Sequence, residues 1–277
     1  MSDWTDIPDK YVTIEGLKIR YIEKGEGRPL LCLQGMGVTL SADQYLPHID
    51  RFAQFSHVYA LDLPGWGLSD HVNEGATFPL WVRVVRGFCD AMGLEEMDIF
   101  GYSIGGWVAT LFAHENPHRV RRFVQLDTPG MNLEAPAFVA NFQMPEKDAM
   151  RTSLVAHLGD IATDAYVAEV ERRLHLPGRN EAFKKLSAHV GNSDVRKQYT
   201  TRDLFPDLKM PILLAQMDNA GSVLIRYIFE AYQLAENARV FVYYGGEART
   251  VNGIRKVMED TAVHFLTADE VPAPRVK

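Results

Sequence analysis

The chain has 277 residues, 47% hydrophobic and 23% charged, enough for one large core with an inserted subdomain and the wrong composition for a disordered or fibrous protein. Its formal charge of −7 is spread along the chain with no run of Lys and Arg; nothing can neutralise a phosphate backbone, and nucleic acid is not an expected partner. The opening MSDWTDIPDK carries no apolar stretch behind a basic one, and no apolar run reaches spanning length, so the expectation is a soluble, cytoplasmic protein with no membrane partner.

In chain order, short apolar runs alternate with longer helical patterns, as in a mostly parallel sheet covered on both faces. YVTIEG and LKIRYIEKG alternate in apolar character across Glu15-Gly16 and read as an antiparallel hairpin at one edge. PLLCLQG, HVYALDLPG, MDIFGYS and RVRRFVQLD are each apolar in the middle and closed by a turn residue, as buried strands are. Between the second and third of these, PLWVRVVRGFCDAM places Trp81, Val84, Val85, Phe88 and Met92 on one helical face, a pattern of core packing. Cys32 and Cys89 lie in apolar segments and read as two buried thiols of a reducing compartment.

From about Gly130 to Phe205 the strands vanish, Met, Ala and charged residues dominate, and HLPGRNE breaks the pattern. This predicts a helical insertion over 131–205, with residues 1–130 and 206–277 forming the core around it. The strand pattern returns with MPILLAQMD and ARVFVYYGG, separated by one helix. A last helix is expected from about Gly253 to Leu266, before the Pro-rich tail TADEVPAPRVK, which should fray.

The chemistry concentrates in FGYSIGGW. Gly101, Ser103 and Gly105 fit G-x-S-x-G directly after a strand and directly before a helix, the context that pattern needs. The glycines answer a steric demand: the chain turns sharply, the serine sits in a strained backbone region, and neighbouring side chains would collide. The turn lifts Ser103 Oγ clear of the sheet, while the helix N-terminus offers amides and a dipole to developing negative charge.

Three stretches in order resemble the α/β-hydrolase fold superfamily. LLCLQGMG looks like that family's oxyanion loop, LDLPGWGLSD resembles its D-x-P-G-x-G-x-S turn, and GYSIGG matches its nucleophile elbow. The resemblance covers nearly the whole chain. It implies an α/β fold with a mostly parallel, eight-stranded type of sheet flanked by helices, and makes the insertion a cap that shapes the substrate pocket. By motif match, the oxyanion donors would be the amides of Ile104 and of Met36, which follows Gln34-Gly35. GRPLLCLQG is similar to members that cleave carbon–carbon bonds in ring-fission products and to small esterases. The implied chemistry calls for no cofactor or metal.

Two departures from the family pattern stand out. The acid expected after the strand following the cap falls at Ala220, with Asp218 two positions earlier; a shortened turn would let Asp218 serve. Asp127 in QLDTPG is the alternative acid, though turn capping explains it at least as well. The family's histidine, counted back from Phe265-Leu266, falls on Arg249, and a guanidinium that stays protonated cannot take a proton from serine. His264 lies late in the last helix. The cap offers His157, His175 and His189, each individually an ordinary helix or loop histidine, while His71 and Gln34 lie near the expected mouth.

The missing base matters more than the shifted acid. In a serine protease, losing the histidine costs on the order of 10⁶ in turnover and losing the acid on the order of 10⁴, while an oxyanion hole and binding alone retain roughly 10³ to 10⁴ over water. Three readings share the fold. In the first, Ser103 attacks a carboxylic ester, lactone or activated carbon–carbon bond, the triad positions Ser103, Asp218 and Arg249 being degenerate and a non-standard base coming from the cap or from Asp218. In the second, a lyase, isomerase or cyclase holds an enolate at Ser103, Ile104 and Met36 while Arg249 grips an anionic substrate. In the third, the pocket binds without turnover. The first is adopted. Arg249 has the plainer alternative of a surface ion pair with Glu247.

Substrate contacts are expected from Gln34, Gly35, Phe138 and Phe142, with Phe138, Phe142 and Met144 alternatively forming the cap's own small core. The expected partner is a small, partly apolar molecule, with an anionic group as an option; a homodimer stays open.

Overall fold

The computed structural model describes residues 6–218, 223–243 and 256–269. Eight strands form one sheet in the order β1-β2-β4-β3-β5-β6-β7-β8. They are β1 Lys10–Ile14, β2 Leu17–Lys24, β3 Pro29–Leu33, β4 His57–Leu61, β5 Met97–Tyr102, β6 Val120–Leu126, β7 Ile212–Met217 and β8 Ala238–Tyr243. β1 and β2 pair antiparallel through Ile14 and Leu17, with Glu15 and Gly16 both at positive φ, 54° and 76°. That is the turn a two-residue hairpin needs to match strand twist. β2 runs antiparallel to β4, and every pairing from β4 to β8 is parallel.

Helices cover both faces, as the near-continuous apolar strands require. α2 (Phe78–Met92), α3 (Ile104–Glu115) and α9 (Ile225–Leu234) pack into one large cluster. On the other face, α1 (Leu46–Phe52) and a last helix, Val263–Thr267, pack into a second. Cys32 and Cys89 are buried, unpaired thiols, one in each cluster.

Five helices fall between β6 and β7: α4 (Ala137–Ala140), α5 (Lys147–Leu158), α6 (Asp164–Leu174), α7 (Arg179–Gly191) and α8 (Ser193–Gln198). α5 and α6 share their own apolar cluster around Met150, Leu154, Tyr166 and Val170. The insertion is fastened to the sheet by polar groups as well as apolar ones. Arg20 of β2 is buried, with Nη2 at 2.5 Å from Asp43 Oδ1 and 2.6 Å from Asp9. Asp43 also accepts from Tyr166 Oη at 2.8 Å and faces Arg173 at 3.4 Å, both residues of α6. Burial alone would raise the Asp43 carboxyl, but Arg20 and Arg173 overturn that and hold it below its ordinary range. Next to it, burial raises Asp62 despite Arg20. A second seam runs through Arg179, which donates to the carbonyls of Gly65 and Ser69.

Candidate active site

The D-x-P-G-x-G-x-S turn explains itself sterically. Asp62 accepts from Ala42 N at 2.6 Å and Leu68 N at 2.8 Å, and a Cβ on Gly67 would stand 2.0 Å from its carboxylate. Only glycine lets the turn close on that buried acid.

At the end of β5, Ser103 has φ 52° and ψ −121°, a conformation that costs a non-glycine residue about 1–3 kcal/mol. Its surroundings force it. A Cβ on Gly101 would meet the Gly106 Cα at 2.4 Å, and one on Gly105 would meet the carbonyl oxygens of Leu33 and Gln34 at 2.3 and 2.6 Å. Ser103 N donates to Leu126 O at 2.9 Å and Gly105 N donates to Gln34 O at 3.1 Å, so the elbow is tied to both neighbouring strands. Ile104 is the first residue of α3, which leaves its N–H without an acceptor inside the helix.

The loop carrying Met36 is pinned on several sides. Gly35 N donates to Gln44 Oε1 at 3.0 Å, and Trp66 Nε1 donates to the Met36 and Gly37 carbonyls at 3.3 and 3.2 Å. Gly35 also permits the Tyr102 ring to pack against the loop, since a Cβ there would come within 2.7 Å of it. Gln34 lies in this loop with its side chain fully enclosed, accepting from Leu63 N at 3.5 Å. Between the loop and the insertion is a cavity of about 200 Å³ lined by Met36, Thr39, Phe138, Phe142, Ser153 and Phe183. Phe138 is 60% exposed there, the Phe142 ring packs tilted against that of Phe183 at 4.8 Å, and Met144 turns instead to the insertion's own cluster.

The two acids differ. Asp127, at φ 46°, accepts from Met217 N at 2.8 Å and from Tyr243 Oη at 2.6 Å, so both of its carboxylate oxygens are engaged by the ends of β7 and β8. Burial, then the charge of Asp127, pushes the Tyr243 phenol far up and keeps it a donor. Asp218 donates its N–H to Tyr243 O at 3.1 Å, while its Oδ1 is buried with no donor among the described residues. Ala220, Glu247 and Arg249 lie outside the described residues.

The insertion's histidines end in different places. His175 is exposed, bonded to Glu171 O at 2.7 Å. His189 accepts from Phe78 N at 3.4 Å and packs beside the paired Phe78 and Tyr199 rings. His157 lies with its ring 6.2 Å from that of Tyr102, the residue before Ser103. His71 abuts Gly178 at the seam with the insertion, and His264 is exposed in the last helix. Tyr243 and Ser153 were not singled out in the sequence, since their positions depend on packing between distant segments; Tyr102 lies inside G-x-S-x-G, at a position the pattern leaves open.

The sheet order, the elbow and the inserted helices define an α/β-hydrolase. The α/β hydrolase fold family matches residues 28–246, and the chain belongs to that family. Among its relatives, the 2-hydroxymuconate semialdehyde hydrolase of Pseudomonas putida is 32% identical over 61% of this chain and 62% of its own length. The 2-hydroxy-6-oxononadienedioate/2-hydroxy-6-oxononatrienedioate hydrolase of Paraburkholderia phymatum is 37% identical over 42% of this chain and 43% of its own. The chain spans less than two thirds of the length of these curated relatives. In fold it is similar to a meta-cleavage product hydrolase from Pseudomonas fluorescens IP01, with a TM-score of 0.78 and 21% identity over 94% of this chain and 98% of that one. A serine hydrolase from Cycloclasticus zankles gives a TM-score of 0.80 at 17% identity, over 95% of this chain and 100% of that one. No described helix is long and apolar enough to cross a membrane.

Proposed function

We propose that the chain hydrolyses a carboxylic ester, a lactone or an activated carbon–carbon bond through Ser103. The observation that carries this reading is the backbone of Ser103 itself, a strained serine held at the head of α3 by the close approaches at Gly101 and Gly105. Strain of this kind persists where a side chain must be presented, and an unused serine would gain by relaxing. The amides of Ile104 and Met36 are the proposed donors to the oxyanion that forms when Oγ bonds to the acyl carbon.

Asp218 is the proposed acid, because its Oδ1 still has room for a donor, whereas Asp127 is spent on tying strand ends together. Arg249 cannot be the base; its proposed part is to hold an anionic group of the substrate. The relatives' names describe carboxylate-bearing compounds, nonadienedioate among them, which favours the carbon–carbon branch of the reading. The cavity beside Met36, with Phe138 and Phe142, is the proposed seat of the apolar part.

The test is turnover of a panel of short-chain aryl esters, lactones and vinylogous 1,5-diketo acids by the wild type and by Ser103→Ala. At least one class should turn over, and Ser103→Ala should lose on the order of 10³-fold or more. Equal rates in the two proteins would refute the reading.

A further inference from the structure

All nine histidines of the chain lie in the described residues, so the base can be sought by elimination. His57 begins β4, His118 lies in the turn just before β6, and His114 is near the end of α3, which places these three at the end of the sheet opposite Ser103. His48 is buried beside Glu259 at 3.4 Å. His189 already spends the lone pair of Nε2 on Phe78 N. His71 and His175 sit at the insertion's edge and surface, and His264 is exposed.

His157 differs from these in two ways. Its ring lies against Tyr102, one residue before the elbow serine, and α5 is set down there by the Thr39–Ser153 hydroxyl contact of 3.3 Å beside the oxyanion loop. Its Nδ1 is 2.7 Å from Ser153 O. A carbonyl oxygen can only accept, so Nδ1 carries the proton and Nε2 keeps its lone pair. No described group bonds to Nε2. Burial lowers the ring's proton affinity, with the Ser153 carbonyl opposing, which keeps the imidazole neutral.

Resting on the proposed Ser103 chemistry, we infer that His157, carried by the inserted helix α5, is the general base that the loop after β8 does not supply. Nε2 takes the Oγ proton as Oγ bonds to the acyl carbon, then passes it to the leaving group as the bond to that group breaks. In the second half Nε2 takes a proton from water while the water oxygen attacks the acyl carbon, and Ser103 Oγ departs with that proton.

The experiment measures the rate of fluorophosphonate labelling by intact mass for the wild type, Ser103→Ala, His157→Gln and His157→Ala, the last with and without added imidazole. Thermal melts check that each variant folds. We expect labelling to fall about 10²- to 10⁴-fold in both His157 variants and imidazole to restore part of it in His157→Ala, an effect that a packing role alone would not give. If both variants label Ser103 at wild-type rate, or imidazole does nothing for a slow His157→Ala, the assignment of His157 is overturned and Ser103 stands. If the wild type does not label at all, the Ser103 reading falls first and this inference falls with it.

Discussion

Tyr243, the last residue of β8, donates its hydroxyl to Asp127 Oδ2 at 2.6 Å, across the ends of three parallel strands. The pair makes Asp127 a clamp. Tyr243→Phe removes this hydrogen bond to the carboxylate and should cost about 1.5–3 kcal/mol, as hydrogen bonds to charged groups do. A fall in melting temperature of several degrees, with turnover changed less than tenfold, is the expected outcome in paired melting and rate measurements.

The two acids should separate on substitution. Asp218→Asn is expected to lower turnover by on the order of 10²–10⁴ with a small change in melting temperature. Asp127→Asn should do the reverse, because a half-buried acceptor of Met217 N and Tyr243 Oη is altered. Steady-state rates alongside thermal melts on both variants decide it, and the opposite pattern would make Asp127 the acid.

Gly105→Ala should be poorly tolerated. Its Cβ would lie 2.3 Å from Leu33 O and 2.6 Å from Gln34 O, and these are backbone atoms that cannot swing aside. Overpacking of this kind costs about 1–3 kcal/mol or more, and the displaced oxyanion loop should lower turnover as well. Both effects are readable from a denaturant melt and an ester assay on the same sample.

Stability should respond to acid in two stages. Asp62 and Asp98 have raised carboxyls, chiefly through burial. Such groups bind protons more readily folded than unfolded, so lowering the pH from neutral toward about 4 does not cost stability through them and adds some. Asp43 is held low, and Glu169 is lowered to about 2 by its hydrogen bond to Arg172, with Arg173 adding to it. Their contribution is present above the unfolded values near 4 and is lost as the pH falls through the folded ones. Melting temperature should therefore hold or rise slightly down to about pH 4.5 and then drop, and Glu169→Gln should shallow that drop.

Much of this was legible in the sequence because it is local. The strand-turn-helix around Ser103, the hairpin at Glu15-Gly16 and the Asp62-to-Gly67 turn are each fixed by neighbours within a few residues, so pattern and steric need coincide. The seven-residue α1, Leu46–Phe52, escaped because it is short and carries little periodic signal. The Arg20–Asp43–Arg173 network joins residues 23 and 130 positions apart, which no spacing rule anticipates. The histidines of the insertion look alike along the chain. What distinguishes His157 is that α5 lies over Thr39 and Tyr102, a consequence of packing between segments more than fifty residues apart.

Ser103 as a nucleophile is read out by the mass of the protein after rapid mixing with a slowly deacylated aryl ester. A burst of one equivalent of phenol and an acyl adduct on the peptide containing Ser103 are expected, both absent in Ser103→Ala. Phenol release with no adduct on that peptide, or an unchanged burst in Ser103→Ala, would contradict it.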